Sequence, residues 1–199
     1  MNNFSEKIAK SVNESISVKQ KLIESASESI ENCGNILADS IKQGGKILFC
    51  GNGGSAADAQ HLAAELVVRL RSSVNRPALP GIALTVDSSI LTAGGNDIGF
   101  DNVFARAVEA YGKDGDVLVA ISTSGNSENV IRAVKTAKSL GIVCIGLLGG
   151  MGGKMLGLCD YHVTVPSSNT ARIQESHIMI GHIWCEMIEE ILFPDYFSK

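Results

Sequence analysis

The chain is short of every feature that would put it in a membrane, outside the cell or on nucleic acid. Its longest apolar runs, such as IVCIGLL at residues 142–148, fall far below the ~20 residues a helix needs to cross a bilayer. The opening MNNFSEKIAKSVNES is polar and has no apolar core of the signal-peptide kind. The protein is therefore expected in the cytoplasm, with no membrane partner. No basic run occurs and the formal net charge is −4, which argues against direct contact with nucleic acid. None of the five cysteines (Cys33, Cys50, Cys144, Cys159, Cys185) is spaced as CxxC, their number is odd, and most sit in apolar patterns. They read as buried free thiols in a reducing compartment. Repeats, low-complexity tracts and linkers are also missing. With 199 residues and a hydrophobic content of 45%, the chain is expected to form one domain, 1–199, with a full core.

What is present divides at Gly44. Before it, apolar residues recur at helical spacing: Ile8, Val12 and Ile16 by fours, then Ile23, Ala26, Ile30, Cys33, Leu37 and Ile41 by threes and fours. Residues 1–43 read as a helical extension whose apolar stripe packs on its own domain or on another subunit. From Gly44 onward short apolar runs alternate with turns and helical patterns. KILFC leads into a glycine turn and a helix, and GIALTV into a mixed segment ending at Tyr111. GDVLVAIS is followed by TSGNS and ENVIRAVKTAKSLG, and IVCIGLLG by the turn GMGGK. YHVTVP precedes a closing helix from about Thr170 to Leu192. This alternation specifies a parallel sheet buried on both faces. Residues 44–199 are thus expected to form a doubly wound α/β core of about five strands. Ligands of such sheets sit where loops leave the carboxyl ends of the strands. Those loops are GNGGS, the segment after ALTV, and STSGNS.

In GNGGSA, Gly51, Gly53 and Gly54 can take backbone angles closed to other residues, and Ser55 is a good N-cap. Exposed amides and the helix dipole then favour an anion, although such turns also serve as plain strand-to-helix connections. Ser122, Thr123, Ser124 and Ser127 around Gly125 offer a second, neutral cradle for a phosphate ester; a serine-rich turn and N-cap is the bland alternative. Gly51-x-Gly53-x-x-Ala56 also fits a loose dinucleotide fingerprint, with Asp87 ending the next apolar run. Against that stand two polar residues, 61 and 65, on a helix that should bury against the sheet, and the second anion-type loop, which the fingerprint does not anticipate.

His61 and Glu65 are four apart and share a helix face; by itself the pair is no more than a helix ion pair. The closing helix carries Gln174, Glu175, His177 and His182 among apolar residues. His61, Glu65, Gln174 and His182 together would make a nitrogen and oxygen site suited to zinc or a related divalent ion. His162, in YHVTV, reads as structural.

The stretches CGNGGSAADAQHLAAEL, GNDIGFDNVFARAVEA, GDVLVAISTSGNSENVIRAV and RIQESHIMIGH resemble, in order and over nearly the whole chain, the phosphoheptose isomerases of the sugar isomerase (SIS) domain superfamily. The resemblance implies a flavodoxin-type SIS sheet, a cytoplasmic homotetramer and one zinc ion per subunit. It also implies interconversion of sedoheptulose 7-phosphate and glycero-manno-heptose 7-phosphate, on the way to the heptose of lipopolysaccharide core or related surface sugars. It places substrate on Asn52, Gly53 and Gly54, on Asn96 and Asp97, and on Ser122, Thr123, Ser124 and Ser127, with Ser55 added as a contact that caps the first loop and Glu65 and Gln174 touching both substrate and metal. Metal falls to His61, Glu65, Gln174 and His182, with Glu65 as the base and His182 as the acid of an enediol reaction. Some relatives carry an acid where this chain has Ala171, so no acid role is given there. A replication-initiator-associating relative of the same fold, a non-enzymatic scaffold, lacks the carboxylate and histidine matching Glu65 and His182. A phosphosugar-sensing regulatory module is the third reading. Eight residues separate Gln174 from His182, about 12 Å of helix rise, while zinc bonds are only about 2 Å long. One helix brings both to one ion only by stretching them along its axis or by beginning near Gln174; the simpler expectation is that these two come from different copies, or that their helix lies across a neighbour's His61 and Glu65.

Overall fold

The computed structural model describes residues 4–197. A long helix α1 (Phe4–Lys42) leads to β1 (Ile47–Cys50), α2 (Gly54–Val67), β2 (Gly81–Ala83), α3 (Ser88–Gly94), α4 (Val103–Tyr111), β3 (Val117–Ser122), α5 (Glu128–Ser139), β4 (Val143–Gly149), β5 (Tyr161–Val165) and α6 (Thr170–Leu192). The five strands are all parallel, in the order β2-β1-β3-β4-β5. Both faces of each central strand are apolar, so alternate residues feed two separate cores. Ile47, Phe49, Val119, Ile121 and Leu147 pack under α1, α2 and α6. Leu48, Cys50, Leu118, Ala120 and Cys144 pack under α4 and α5. The sheet is thus covered on both sides, as continuous apolar strands require.

This order reverses direction between β1 and β3, which lie side by side with Cys50 opposite Ala120. In doubly wound sheets that reversal opens a crevice at the strands' carboxyl ends. The loop after β1 and the loop after β3 flank it. The dinucleotide reading needs a different strand order, 3-2-1-4-5-6, and it fails on a second count. Asp87 is not held for a ribose: it caps α3, accepting from the Ile90 amide at 2.9 Å.

The stripe on α1 divides. Val18, Leu22, Ala26, Ile30, Cys33 and Leu37 are buried against α6 and the sheet, so the second half of α1 is part of a core layer rather than an appendage. Ile8, Val12 and Ile16 are exposed, and so is Ile23, at 69%. One residue of register decides the last case, because Leu22 takes the inward position and turns Ile23 out. Four cysteines are buried and free, and Cys159 is half-buried. Burial pushes the Cys33 and Cys144 thiols up to about 12, which suits inert core residues. His162 is exposed, its ring nitrogen 3.4 Å from the Thr164 hydroxyl; it supports no core contact.

Candidate active site

Two glycines set the approach of the helices that carry the site. A methyl group added at Gly181 would fall 2.5 Å from the Leu62 side chain, and one at Gly34 would overlap Met187. Gly181 therefore lets α6 close onto α2 at the residues next to His182 and His61. Further along, the buried Arg76 locks the two helices in register. Its guanidinium donates to the main-chain carbonyls of Glu65 at 2.7 Å and Leu66 at 2.9 Å, and to Glu189 of α6 at 3.0 Å. The orphan carbonyls at the end of α2 are satisfied by a cation, as helix carboxyl ends favour.

That packing brings three predicted residues together. His61 Nε2 lies 2.9 Å from His182 Nε2 and 3.2 Å from Glu65 Oε1. Their ligand atoms all lie within 4.8 Å of one another. His61 is half-exposed and Glu65 is largely covered. The donor set, two imidazoles and a carboxylate, is one that zinc and related divalent ions take. Two neutral imidazoles with both Nε2 atoms turned to one point present lone pairs that a cation satisfies better than they satisfy each other. The residues fit a metal ion.

All three belong to one chain. Gly181 permits α6 to bring His182 to His61 and Glu65 within the chain, so these three meet without a neighbour's helix. Gln174, two turns earlier on α6, is not bonded to the three. It donates its side-chain amide to Asp58 Oδ1 at 2.6 Å and packs against Gly54. Asp58 is buried, its other oxygen has no partner among the described residues, and burial raises its pKa to about 6 against the opposing effects of Gln174 and His61. Asp58 was not singled out in the sequence, though it lies three residues before His61, on the same face of α2.

At the first loop, Gly53 takes the cap position with φ 55°, and α2 starts at Gly54. Ser55 is not the N-cap. It sits inside the first turn, buried, and its amide donates to the Asn52 carbonyl at 2.9 Å. A left-handed glycine makes the turn without a side-chain cap, so the serine falls two residues past the cap, inside the first turn. At the second loop, the Ser122 and Ser127 hydroxyls are 3.1 Å apart and Ser122 Oγ accepts from the Gly125 amide at 3.1 Å. The Asn52 and Asn129 side chains bond reciprocally, joining the two loops. Behind the second loop, the Met155 amide donates to the Gly125 carbonyl and the Lys154 amide to Asn126. A side chain at Gly125 or Gly153 would overlap the opposite main chain. The GMGGK turn thus buttresses the serine loop. Next to it, Thr123, Ser124, Gly149, Ser167, Ser168 and Thr170 line a cavity of about 350 Å³. Asn96 and Asp97 lie in a π-helical turn after α3, where Asn96 Nδ2 donates to Asp97 at 2.6 Å. Both are away from core packing, and no bond joins them to the three converging residues.

A parallel sheet with hydroxyl and glycine loops at its switch point and a divalent-ion donor set beside them defines a phosphosugar-type α/β protein. The sequence pattern of the SIS domain matches residues 11–149. A phosphoheptose isomerase from Clostridium acetobutylicum is 52% identical over 98% of both chains, and one from Chlorobaculum parvum 53% identical over 88% of this chain and 84% of its own. The structure of phosphoheptose isomerase from Neisseria gonorrhoeae superposes with a TM-score of 0.89 at 45% identity, covering 94% of this chain and all of that one. The chain belongs to the phosphoheptose isomerases, aldose–ketose isomerases of the SIS domain family.

Proposed function

We propose that the protein interconverts sedoheptulose 7-phosphate and D-glycero-D-manno-heptose 7-phosphate, feeding heptose to a lipopolysaccharide core or another surface glycan. The observation that carries this is the convergence of His61, Glu65 and His182 on two adjacent helices, one of which starts at the glycine loop. In the proposed arrangement the serine loop, with Ser122, Thr123, Ser124 and Ser127, holds the phosphate. Main-chain groups of Asn52, Gly53 and Gly54, and the Ser55 turn, hold chain hydroxyls. Asn96 and Asp97 reach the substrate only from a differently placed segment, which is supplied by a second copy in the proposed homotetramer.

The reaction moves one proton between C1 and C2 through an enediol. Glu65 takes the carbon-bound proton from C1 of the ketose and returns it to C2. His182 gives a proton to O2 as the carbonyl becomes a hydroxyl, and recovers one from O1 as the new carbonyl forms; imidazole does both near neutral pH. His61, Glu65 and His182 would hold a zinc ion, Glu65 and His182 leaving it while they move protons, with Gln174 as the further candidate ligand. A bound zinc ion would polarise the carbonyl and stabilise negative charge on the enediol oxygens. The scaffold reading offers no reason for a carboxylate and two imidazoles to meet. The deciding experiment is turnover of sedoheptulose 7-phosphate by the purified cytoplasmic protein, with and without a chelator. No turnover in zinc-loaded protein would remove the proposal.

A further inference from the structure

The residue that ties the two ligand loops together is one that no motif singles out. Asn129 is buried in the first turn of α5. Its Oδ1 accepts the Val130 amide at 3.0 Å. A main-chain N–H can only meet an acceptor, so this contact fixes which end of the carboxamide is oxygen. Asn129 Nδ2 must then face Asn52, and it donates to Asn52 Oδ1 at 2.9 Å; Asn52 Nδ2 donates back to Asn129 Oδ1, also at 2.9 Å. The two amides close a ring across the crevice between β1 and β3. Asn52 is further committed, since its carbonyl takes the Ser55 amide. The ring uses one donor and one acceptor of the Asn52 carboxamide and fixes its plane, while the residue's own N–H makes no bond among the described residues.

We propose that Asn129 is a positioning residue for the bound sugar phosphate: it clamps Asn52 so that the first loop presents main-chain amides, not the Asn52 side chain, to the ligand. The proposal rests on the two loops holding a sugar phosphate, as argued above. Asn129 Oδ1 also takes the Val130 amide in the first turn of α5, where Ser127 makes no cap bond. With both bonds made, the loop is pre-set for ligand and loses less freedom on binding.

The test is a double-mutant cycle on Asn52→Ala, Asn129→Ala and the pair, with KM, kcat and melting temperature measured for each. Removing a clamp is expected to raise KM for sedoheptulose 7-phosphate by roughly tenfold, one hydrogen-bonded pair's worth, with kcat nearly unchanged. The two single variants are expected to match, and the double variant to be no worse than either, because one interaction is lost once. Unchanged KM in Asn129→Ala would overturn the inference even if its melting temperature fell. So would a double variant whose loss is the product of the singles, because Asn52 would then be acting on substrate directly. If Asn129→Ala does not fold, Asn52→Ala removes the same two bonds from the more exposed partner and reads the same KM shift. Calorimetry with a non-isomerisable heptitol 7-phosphate, which carries the chain hydroxyls as well as the phosphate, separates this inference from the assigned reaction. Weaker heptitol phosphate binding in the variants but no heptose turnover by wild type would remove the reaction and keep the clamp; heptitol phosphate bound equally by all would remove the clamp.

Discussion

His61 and His182 are 121 residues apart in sequence, yet their Nε2 atoms meet at 2.9 Å. Both nitrogens cannot carry protons at that distance. Either one donates to the other, or both turn lone pairs on a cation. The second state requires metal, and its three ligands converge only in the folded chain. Adding zinc to metal-stripped protein is therefore expected to raise its melting temperature by mass action, about 2.7 kcal/mol of stabilisation at a hundredfold excess over Kd. His182→Gln should erase most of that increment while leaving the stripped protein's melting temperature near the wild-type value. Scanning calorimetry checks both, and an equal zinc response in wild type and variant would exclude the site.

Glu65→Gln and His182→Gln are each expected to lower turnover by roughly two to four orders of magnitude, the scale for losing a positioned base or acid, with the fold intact. Because Glu65, His61 and His182 meet within one chain, mixing the two inactive variants should restore nothing. Every site in a hybrid assembly still lacks one group. Recovered activity after verified subunit exchange would show that α6 of one copy serves α2 of another.

The sheet was legible from the sequence because its strands are buried on both faces. Continuous runs such as VLVAIS and VCIGLLG leave no alternation to misread, and both became strands. The closing helix also matched its periodicity over Thr170–Leu192. What the sequence concealed depends on contacts between distant elements. Ser55 looked like a cap because serine prefers that position, but the left-handed Gly53 took it. Gln174 and His182 are two turns apart on α6, and what the spacing did not show is that Gln174 commits its Nε2 to Asp58. Gly181 carried no visible signal, because a glycine inside a helix shows its purpose only when Leu62 packs against it. Asn129 and Arg76 are ordinary polar residues until their partners, 77 and 113 residues away, are known.

His177 gives a pH dependence. It is fully buried, its Nε2 donates to the Leu148 carbonyl at 2.9 Å, and its Nδ1 has no partner among the described residues. Burial lowers its pKa from 6.5 to about 4 against the raising effect of that bond. Between these values the unfolded chain binds the proton and the folded chain does not, so stability contributed by neutral His177 is complete above about pH 6.5 and is lost as the pH falls toward 4. The loss should reach about 3 kcal/mol at pH 4, from 1.36 kcal/mol per pKa unit. His177→Gln keeps an N–H for Leu148 and cannot titrate. Denaturant unfolding of both proteins from pH 7 to pH 4 should show wild type losing stability relative to the variant. Parallel curves would mean that His177 is charged or unburied in solution.

The amino-terminal half of α1 carries Ile8, Val12, Ile16 and Ile23 uncovered, with Ile8 at 64% and Ile16 at 49% exposure. Ile23 also lines an apolar groove of about 260 Å³ with Leu22, Ile30, Met179, Ile183 and Met187, between α1 and α6. Four large apolar side chains on one exposed face are worth roughly 1.5–3 kcal/mol each when covered, and α6 is the helix that carries His182. We therefore expect copies of the chain to associate through this face and to complete the half-exposed site. Ile16→Glu with Ile23→Glu should turn the assembly into monomers by sedimentation and, in the same preparations, lower turnover. The helix itself should survive, because its lower half stays packed through Leu22, Ile30 and Leu37. Monomers with wild-type turnover would show that a single chain holds the whole site; an undisturbed assembly would place the subunit contact on another face.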